Sequence, residues 1–278
     1  MVSIDKARNF VHANGTLWER ALWDFLFDGG PIERVHQTLR CYKNSDGGWG
    51  HGLEHDIKCP QSNPLQLEFL CSVLRDTGIP PGDLLMGTPQ WVENIQLADG
   101  TLGNPTNLLD YHHAPWWNSG GQTMPDAITG NLIKFGICTL SIANATKRWV
   151  LKNLTLGKIH SNEWLFMAYH AHDYFMNIED FPDLNTYRQA VVDNIIQCAA
   201  ANIENQDFLK ARAIFRFAAA PSTELAKAVP SSILEQLLDH LEASQRDDGG
   251  WDDEHGLFYW QPYHSTKALL TLKNFNRF

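Results

Sequence analysis

Apolar positions in this chain recur every three to four residues over stretches of ten to twenty, the period of helices with one buried face. Residues 3–13 and 16–27 carry the first two such stretches. The second sets Leu17, Trp18, Leu22, Trp23 and Phe25 on a broad apolar stripe. Gly29-Gly30-Pro31 ends it, and Pro31 opens a helix over 31–42. Pro64 opens the next, 64–77, which breaks at Gly78 and Pro80-Pro81; a helix over 88–97 then stops at Gly100. Further helices are predicted over 122–135, 143–153, 161–177, 183–203, 206–219, 231–245 and 262–275, with a weaker piece between Pro221 and Pro230. No stretch alternates with the period of a strand. The pattern predicts an all-α fold of about eleven to thirteen helices.

A second, longer period overlies the first. In LEASQRDDGGW, the residues Leu241, Gln245, Gly249 and Trp251 stand four, four and two apart. In WVENIQLADGTL, Val92, Gln96 and Gly100 keep that spacing, with Leu102 in the tryptophan's place. In LRCYKNSDGGWG, Leu39, Gly47 and Trp49 fit, and Lys43 stands where glutamine is expected. Each copy reads as an apolar helix, an Asp-Gly turn, an anchor and a second helix. Units of this kind bury their apolar faces against one another.

These residues resemble the QW repeat of the terpenoid cyclase and protein prenyltransferase superfamily. Glutamine near a helix end, glycines in the turn and tryptophan after it are that repeat's defining positions. The likeness covers roughly residues 31–136 and 230–275; residues 137–229 hold no copy and are expected only to complete the fold. The resemblance implies a single-domain α/α toroid, six helical hairpins closed into a ring around an apolar cavity. The two acidic motifs of the standard cyclase mechanisms, DxDD and DDxxD, are absent from the chain.

Composition narrows the partners. The chain has 278 residues, 44% of them apolar, enough for one large core. Thirty-two acidic against 22 basic residues give a formal net charge of −10, which disfavours nucleic acid and anionic membrane surfaces. Five cysteines without a CxxC pair are expected in a reducing, cytoplasmic protein. The first residues lack a signal-peptide stretch, and no apolar run reaches a membrane span, so the protein is expected to be soluble.

In a toroid of the implied type, the turn after each outer helix delivers the N-terminus of an inner helix toward the cavity. The loops 49–63, 103–121 and 252–264 are therefore the candidate sites. The first reads GHGLEHDIKCP. Its His51, Glu54 and His55 spell HxxEH, but Gly47, Gly48, Gly50 and Gly52 argue against the helix that a zinc peptidase requires. Glu54 and Asp56 are read instead as cavity carboxylates, the alternative being a helix cap or a pair with Lys58. The second loop offers Tyr111, His112, His113, Trp116 and Trp117, whose aromatic faces can stabilise a cation or simply plug the mouth of the ring. The third, WDDEHGLFYWQPYHSTKALLTL, resembles the prenyltransferase segment in which a histidine opening an inner helix binds zinc, and His264 takes that place. The family's other ligands are an Asp and a Cys one residue apart. Asp56 and Cys59 are the nearest approach and are spaced differently, so zinc is not favoured and His264 is read as a neutral proton donor or acceptor. Asp252, Asp253, Glu254 and His255 offer either ligands or a solvated acidic turn. His170-Ala-His172-Asp173 is read as one core or groove histidine and one surface histidine, since residues two apart on a helix face different ways.

The leading expectation is an enzyme acting on an isoprenoid or similarly hydrophobic small molecule by acid–base chemistry. Glu54 or Asp56 would give the proton, with His113 and His264 as partners. Trp49, His51, His55, Tyr111, Trp116, Trp117, Asp252 and Tyr263 would bind substrate, the tryptophans alternatively holding the repeat. A carbohydrate-active hydrolase or lyase on a helical toroid is the second expectation, and a non-catalytic binding scaffold the third.

Overall fold

The computed structural model describes residues 2–278. Among these the chain is mostly helical, in fourteen α-helices joined by short 3₁₀ turns. In chain order they are α1 (Ile4–Asn14), α2 (Leu17–Phe27), α3 (Ile32–Leu39), α4 (Pro64–Thr77), α5 (Thr88–Ile95), α6 (Asp126–Lys134) and α7 (Leu140–Asn153). Then come α8 (Leu156–His160), α9 (Tyr169–Phe175), α10 (Leu184–Glu204), α11 (Phe208–Ala211), α12 (Glu224–Ala228), α13 (Ser231–Ala243) and α14 (Gln261–Asn274). The all-α expectation holds. Two two-residue strands, β1 (Leu102–Gly103) and β2 (Gln122–Thr123), pair antiparallel. No helix of the described residues is long and apolar enough to cross a membrane.

Most helix ends fall where the punctuation put them. Asn63 caps α4 by accepting the Gln66 N–H at 3.3 Å, Pro64 follows at the first position, and Gly78 ends the helix in the left-handed conformation. The differences have local causes. The helix expected over 122–135 starts only at Asp126, because Met124 precedes Pro125 and is kept out of the helical region. The helix expected over 161–177 opens instead as a 3₁₀ turn at Leu165–Ala168 before α9. There the Asn162 side chain bonds both the N–H and the C=O of Trp164, competing with the helical ladder. The piece expected over 206–219 shortens to α11 and a 3₁₀ turn, Arg212–Arg216. Helix α8, with Gly157 in its five residues, carried no apolar period to reveal it.

The chain forms two compact units. One comprises the described part of Met1–Thr38, Asn162–Ala168 and Val192–Phe278; the other comprises Leu39–Ser161 and Tyr169–Val191. In the first, α14 packs on α1, α2 and α13, so the two ends of the chain share a core around Trp18, Trp23, Trp251 and Leu272. In the second, α6 packs on α4, α7 and α9, around Leu67, Leu70, Leu74 and Phe175.

The repeated turn has one geometry in all three copies. The N–H of Asn44, Leu97 or Arg246 donates to the carbonyl of Gly48, Thr101 or Gly250 at 2.8–2.9 Å. The glycine N–H of Gly47, Gly100 or Gly249 donates back to Asn44, Leu97 or Arg246 at 2.9–3.1 Å. The aspartate of each turn, Asp46, Asp99 or Asp248, accepts the N–H two residues on. The glycine φ is +90°, +93° and +95° respectively. The residue at the glutamine position then reaches a different segment each time. Lys43 Nζ donates to the carbonyls of Leu84 and Met86 at 2.6 Å, ahead of α5. Gln96 Nε2 lies 3.4 Å from the Thr146 hydroxyl on α7. Gln245 grips both backbone groups of Ser3, accepting its N–H at 2.7 Å and donating to its C=O at 3.0 Å.

A methyl group at Gly249 would lie 2.3 Å from the backbone of Lys6, while one at Gly29, which has φ +72°, would meet open space. Gly29→Ala should cost about 1–2 kcal/mol from conformation alone. Gly249→Ala adds about 1–3 kcal/mol of overpacking and should lose visibly more in urea unfolding. Equal losses would show that the approach to Lys6 does not constrain the turn.

Candidate functional site

The first two candidate loops belong to one unit and pair with each other. Ile57 and His113 form an antiparallel bridge, the Lys58 N–H donates to the His112 carbonyl at 2.9 Å, and the Ala114 N–H donates to the Asp56 carbonyl at 2.8 Å. Beneath the bridge Ile57, Cys59, Leu65 and Leu108 form a small core against which Leu109, Tyr111 and Trp117 pack. Helix α4 fixes the acidic end of this lobe. Gln66 is fully buried; it accepts the Glu54 N–H at 2.7 Å and donates to the Ile57 carbonyl at 3.1 Å.

Glu54 is the electrostatic centre. Its Oε2 accepts the Asp56 N–H at 3.0 Å. Burial pushes its carboxyl well above the usual range, and the negative charges of Asp56 and Glu68 push the same way, against an opposing pull from Lys58. Asp56 is itself buried. Glu68, on α4, accepts a hydrogen bond from the Tyr169 hydroxyl. A carboxyl pushed upward in this way is shifted toward its acid form, the form from which a general acid acts.

The other nominated residues of this unit take varied places. Trp49 is fully buried, with Nε1 donating to Thr88 at 3.3 Å and the Lys43 ammonium 5.7 Å from its ring, so it anchors the repeat rather than facing a ligand. His51 is exposed, has φ +62° and bonds Asn44 Oδ1 at 2.9 Å. His55 is buried, its ring 6.3 Å from that of Phe69 on α4. His113 places Nδ1 2.7 Å from the Tyr111 carbonyl, which fixes Nδ1 as the protonated nitrogen. Trp116 is 44% exposed, and the indole N–H of Trp117 is buried without an acceptor.

The third loop lies in the other unit. His264 Nε2 stands 3.0 Å from Asp253 Oδ1, while Asp253 Oδ2 accepts the N–H groups of His255 at 2.8 Å and Leu257 at 3.1 Å. Burial alone would raise the Asp253 carboxyl; the His264 hydrogen bond and those N–H groups overcome it and hold the group at about 2. Burial pushes His264 down, against the pull of Asp253. Arg212 donates to the Asp252 carbonyl. Asp252 itself is exposed and pairs with Arg246 at 2.5 Å, which makes Asp253 the partner that the sequence did not single out. Tyr263 is buried against Trp18 and Trp260.

Among the described residues no group of three or more histidine, cysteine or carboxylate ligand atoms converges on His264. Asp253 holds its Nε2, and burial raises the Cys59 thiol, leaving it a poor thiolate source. Among the described residues the one converging trio of histidine and acidic groups is His12, Asp24 and Asp28. There Asp28 is already taken by Arg8 and Trp23. No protein-family model matches the chain, and no curated protein matches it.

The two carboxyls should respond oppositely to pH. Glu54 titrates higher when folded than the value of about 4.3 in an unfolded chain, so stability falls as pH rises between the two. Glu54→Gln removes that loss. Its melting temperature relative to the parent should therefore climb between pH 4 and 8, by about 2–4 °C for each kcal/mol recovered. Asp253 titrates lower when folded, so its contribution is present above pH 4 and lost as pH falls toward 2. Asp253→Asn should cost about 2 kcal/mol at pH 7 and little near pH 2 in the same melts.

Proposed function

We propose that this chain is an acid–base enzyme that protonates a hydrophobic, isoprenoid-like substrate, with Glu54 as the proton donor. The observation that carries the reading is the Glu54 carboxyl, raised well above its usual range by burial and by Asp56 and Glu68. Delivering a proton to a carbon–carbon double bond requires an acid that is still protonated at neutral pH and a surrounding charge that favours the resulting cation. Asp56 and Glu68 meet the second need with the same negative charge that keeps the proton on Glu54. The mixture of apolar and aromatic side chains in the adjoining lobe, Ile57, Leu65, Leu108, Tyr111 and Trp117, suits an apolar substrate better than a polar one.

The proposed scaffold is an α/α toroid of the QW-repeat type. The recurrence of one turn with three long-range clasps supports it, as does the hold of Gln245 on Ser3, which ties the last repeat to the start of the chain. Five free thiols support a reducing, cytoplasmic setting. The paired acids Glu54 and Asp56 and the exposed Trp116 favour a second reading, cleavage of a glycosidic bond.

The test is incubation with a panel of polyprenyl alcohols, linear triterpenes and chromogenic glycosides, with products followed by mass spectrometry and colour release. An isomerised or cyclised product of unchanged mass is expected, and Glu54→Gln should reduce its formation by about 10²-fold or more. Colour release confined to the glycosides would establish the second reading. Isomerisation or cyclisation that survives Glu54→Gln would remove Glu54 as donor.

A further inference from the structure

The unit that contains Glu54 holds a second buried acid–base pair, in helices that the repeat pattern leaves out. Asp126 is the first residue of α6 and is fully buried. Its Oδ1 accepts the Ala127 N–H at 2.9 Å and meets Nδ1 of His170, on α9, at 2.8 Å. Its Oδ2 has no hydrogen-bond partner. An ionised carboxylate only accepts, so Nδ1 carries the imidazole proton and Nε2 is left as the basic nitrogen.

The pair is rigidly placed. Helices α6 and α9 cross so closely that a methyl group at Gly130 would lie 1.9 Å from the Asp173 carbonyl. The ring of His170 is only 7% exposed and lies against that of Tyr169, with centroids 4.1 Å apart. Helix α4 connects this pair to the acidic lobe. Gln66 holds the Glu54 backbone, Phe69 faces the His55 ring, and between them Glu68 takes the Tyr169 hydroxyl. A fully buried carboxylate with one unsatisfied oxygen is a cost that packing does not recover, and it is characteristic of sites shaped by chemistry.

We propose that His170, with Asp126 as its positioning residue, is the proton acceptor that completes the reaction begun by Glu54. This rests on the reading of Glu54 as donor. Glu54 gives its proton to one carbon of a double bond; the π pair forms the new C–H bond and the neighbouring carbon becomes cationic. His170 Nε2 then takes a proton from a carbon next to the cation, and that C–H pair becomes the new double bond. The Glu54 carboxylate and the His170 imidazolium return to their starting states by exchanging one proton through solvent. The cycle is redox-neutral and needs no second substrate. Its product is an isomer of the substrate, with a shifted double bond or a new ring and no water added.

The first test needs no substrate. Nitrogen NMR of protein labelled with ¹⁵N-histidine should show His170 neutral and protonated on Nδ1 at pH 7, and Asp126→Asn should move the ring toward the Nε2-protonated tautomer. A parent ring protonated on Nε2, or on both nitrogens, would overturn the assignment. The second test uses whichever polyprenyl alcohol or triterpene of the panel the parent enzyme converts. His170→Gln, checked by melting temperature and near-ultraviolet dichroism, should lower kcat by about 10²-fold and divert product toward alcohols formed by water capture. Asp126→Asn should lower kcat by at least about tenfold with KM unchanged, and it decides the matter if His170→Gln does not fold. A folded His170 variant with parental rate and products refutes the acceptor while leaving the donor intact. Turnover indifferent to Glu54→Gln refutes the donor reading instead.

Discussion

Three left-handed glycines carry the organisation of this chain. Each follows an aspartate, and together they turn the backbone through a loop that no L side chain adopts cheaply, so the helix before and the segment after are aimed by the turn itself. The carbonyl groups at a helix end must find donors. Gln96 and Gln245 donate to the turn carbonyls of Gly100 and Gly249 while reaching out to Thr146 and Ser3, and Lys43 reaches outward to Leu84 and Met86. In the two glutamine copies the turn is thus held and a neighbouring segment fixed by the same amide. That lysine can replace glutamine at position 43 follows from the geometry. The acceptors there are two carbonyls, and an ammonium group supplies only donors, whereas at Ser3 one donor and one acceptor must be met together.

The acidic lobe inherits its precision from this arrangement. Trp49, buried at the end of the first turn, starts the loop at a defined point, and Asn63 closes it by donating its backbone N–H to the Trp49 carbonyl at 2.9 Å. Between those points the loop has no regular structure, and Gln66 supplies from α4 the hydrogen bonds that a strand or helix would otherwise give. A catalytic group on a loop serves only if its supporting residues are themselves locked. Gln66, fully buried and using both ends of its amide, meets that condition for Glu54.

Much of this was legible in the sequence because it depends on local rules. Prolines 64 and 230, glycines 78 and 100, and the helical period locate most elements. The spacing of Gln245, Gly249 and Trp251 identifies a turn whose bonding recurs at 96–102 and 43–49. Glu54 stood out as an acid among glycines. What the sequence could not display is pairing at a distance. Glu68 with Tyr169 and Asp126 with His170 are 101 and 44 residues apart. The stretch around Tyr169 and His170 reads as a helix with one core or groove histidine and does not name that histidine's partner, and a region expected only to complete the fold supplies half of both pairs. In the third loop the error was one residue. Four consecutive polar residues, Asp252 to His255, offer no period by which to choose, and the inward-facing member is Asp253, whose carboxylate ties the loop's own N–H groups to His264.

The contrast between Glu54 and Asp253 also bears on the chemistry. Both are withdrawn from solvent, and withdrawal alone raises both. Asp253 receives two backbone N–H groups and an imidazole, which together more than offset its burial, so it persists as an anion and serves as an orienting group. Glu54 accepts one backbone N–H and faces two further carboxylates, so the same burial is reinforced instead of cancelled. The number of donors pointed at each carboxyl therefore separates one held as an anion from one pushed toward its acid form. Asp126 falls between them, with one oxygen doubly engaged and the other bare. A carboxylate so placed holds an imidazole in one tautomer without satisfying its own second oxygen, which protonation of the His170 ring at Nε2 does not reach. Positive charge arriving on His170 would stand against the Asp126 carboxylate, as the proposed proton acceptor requires.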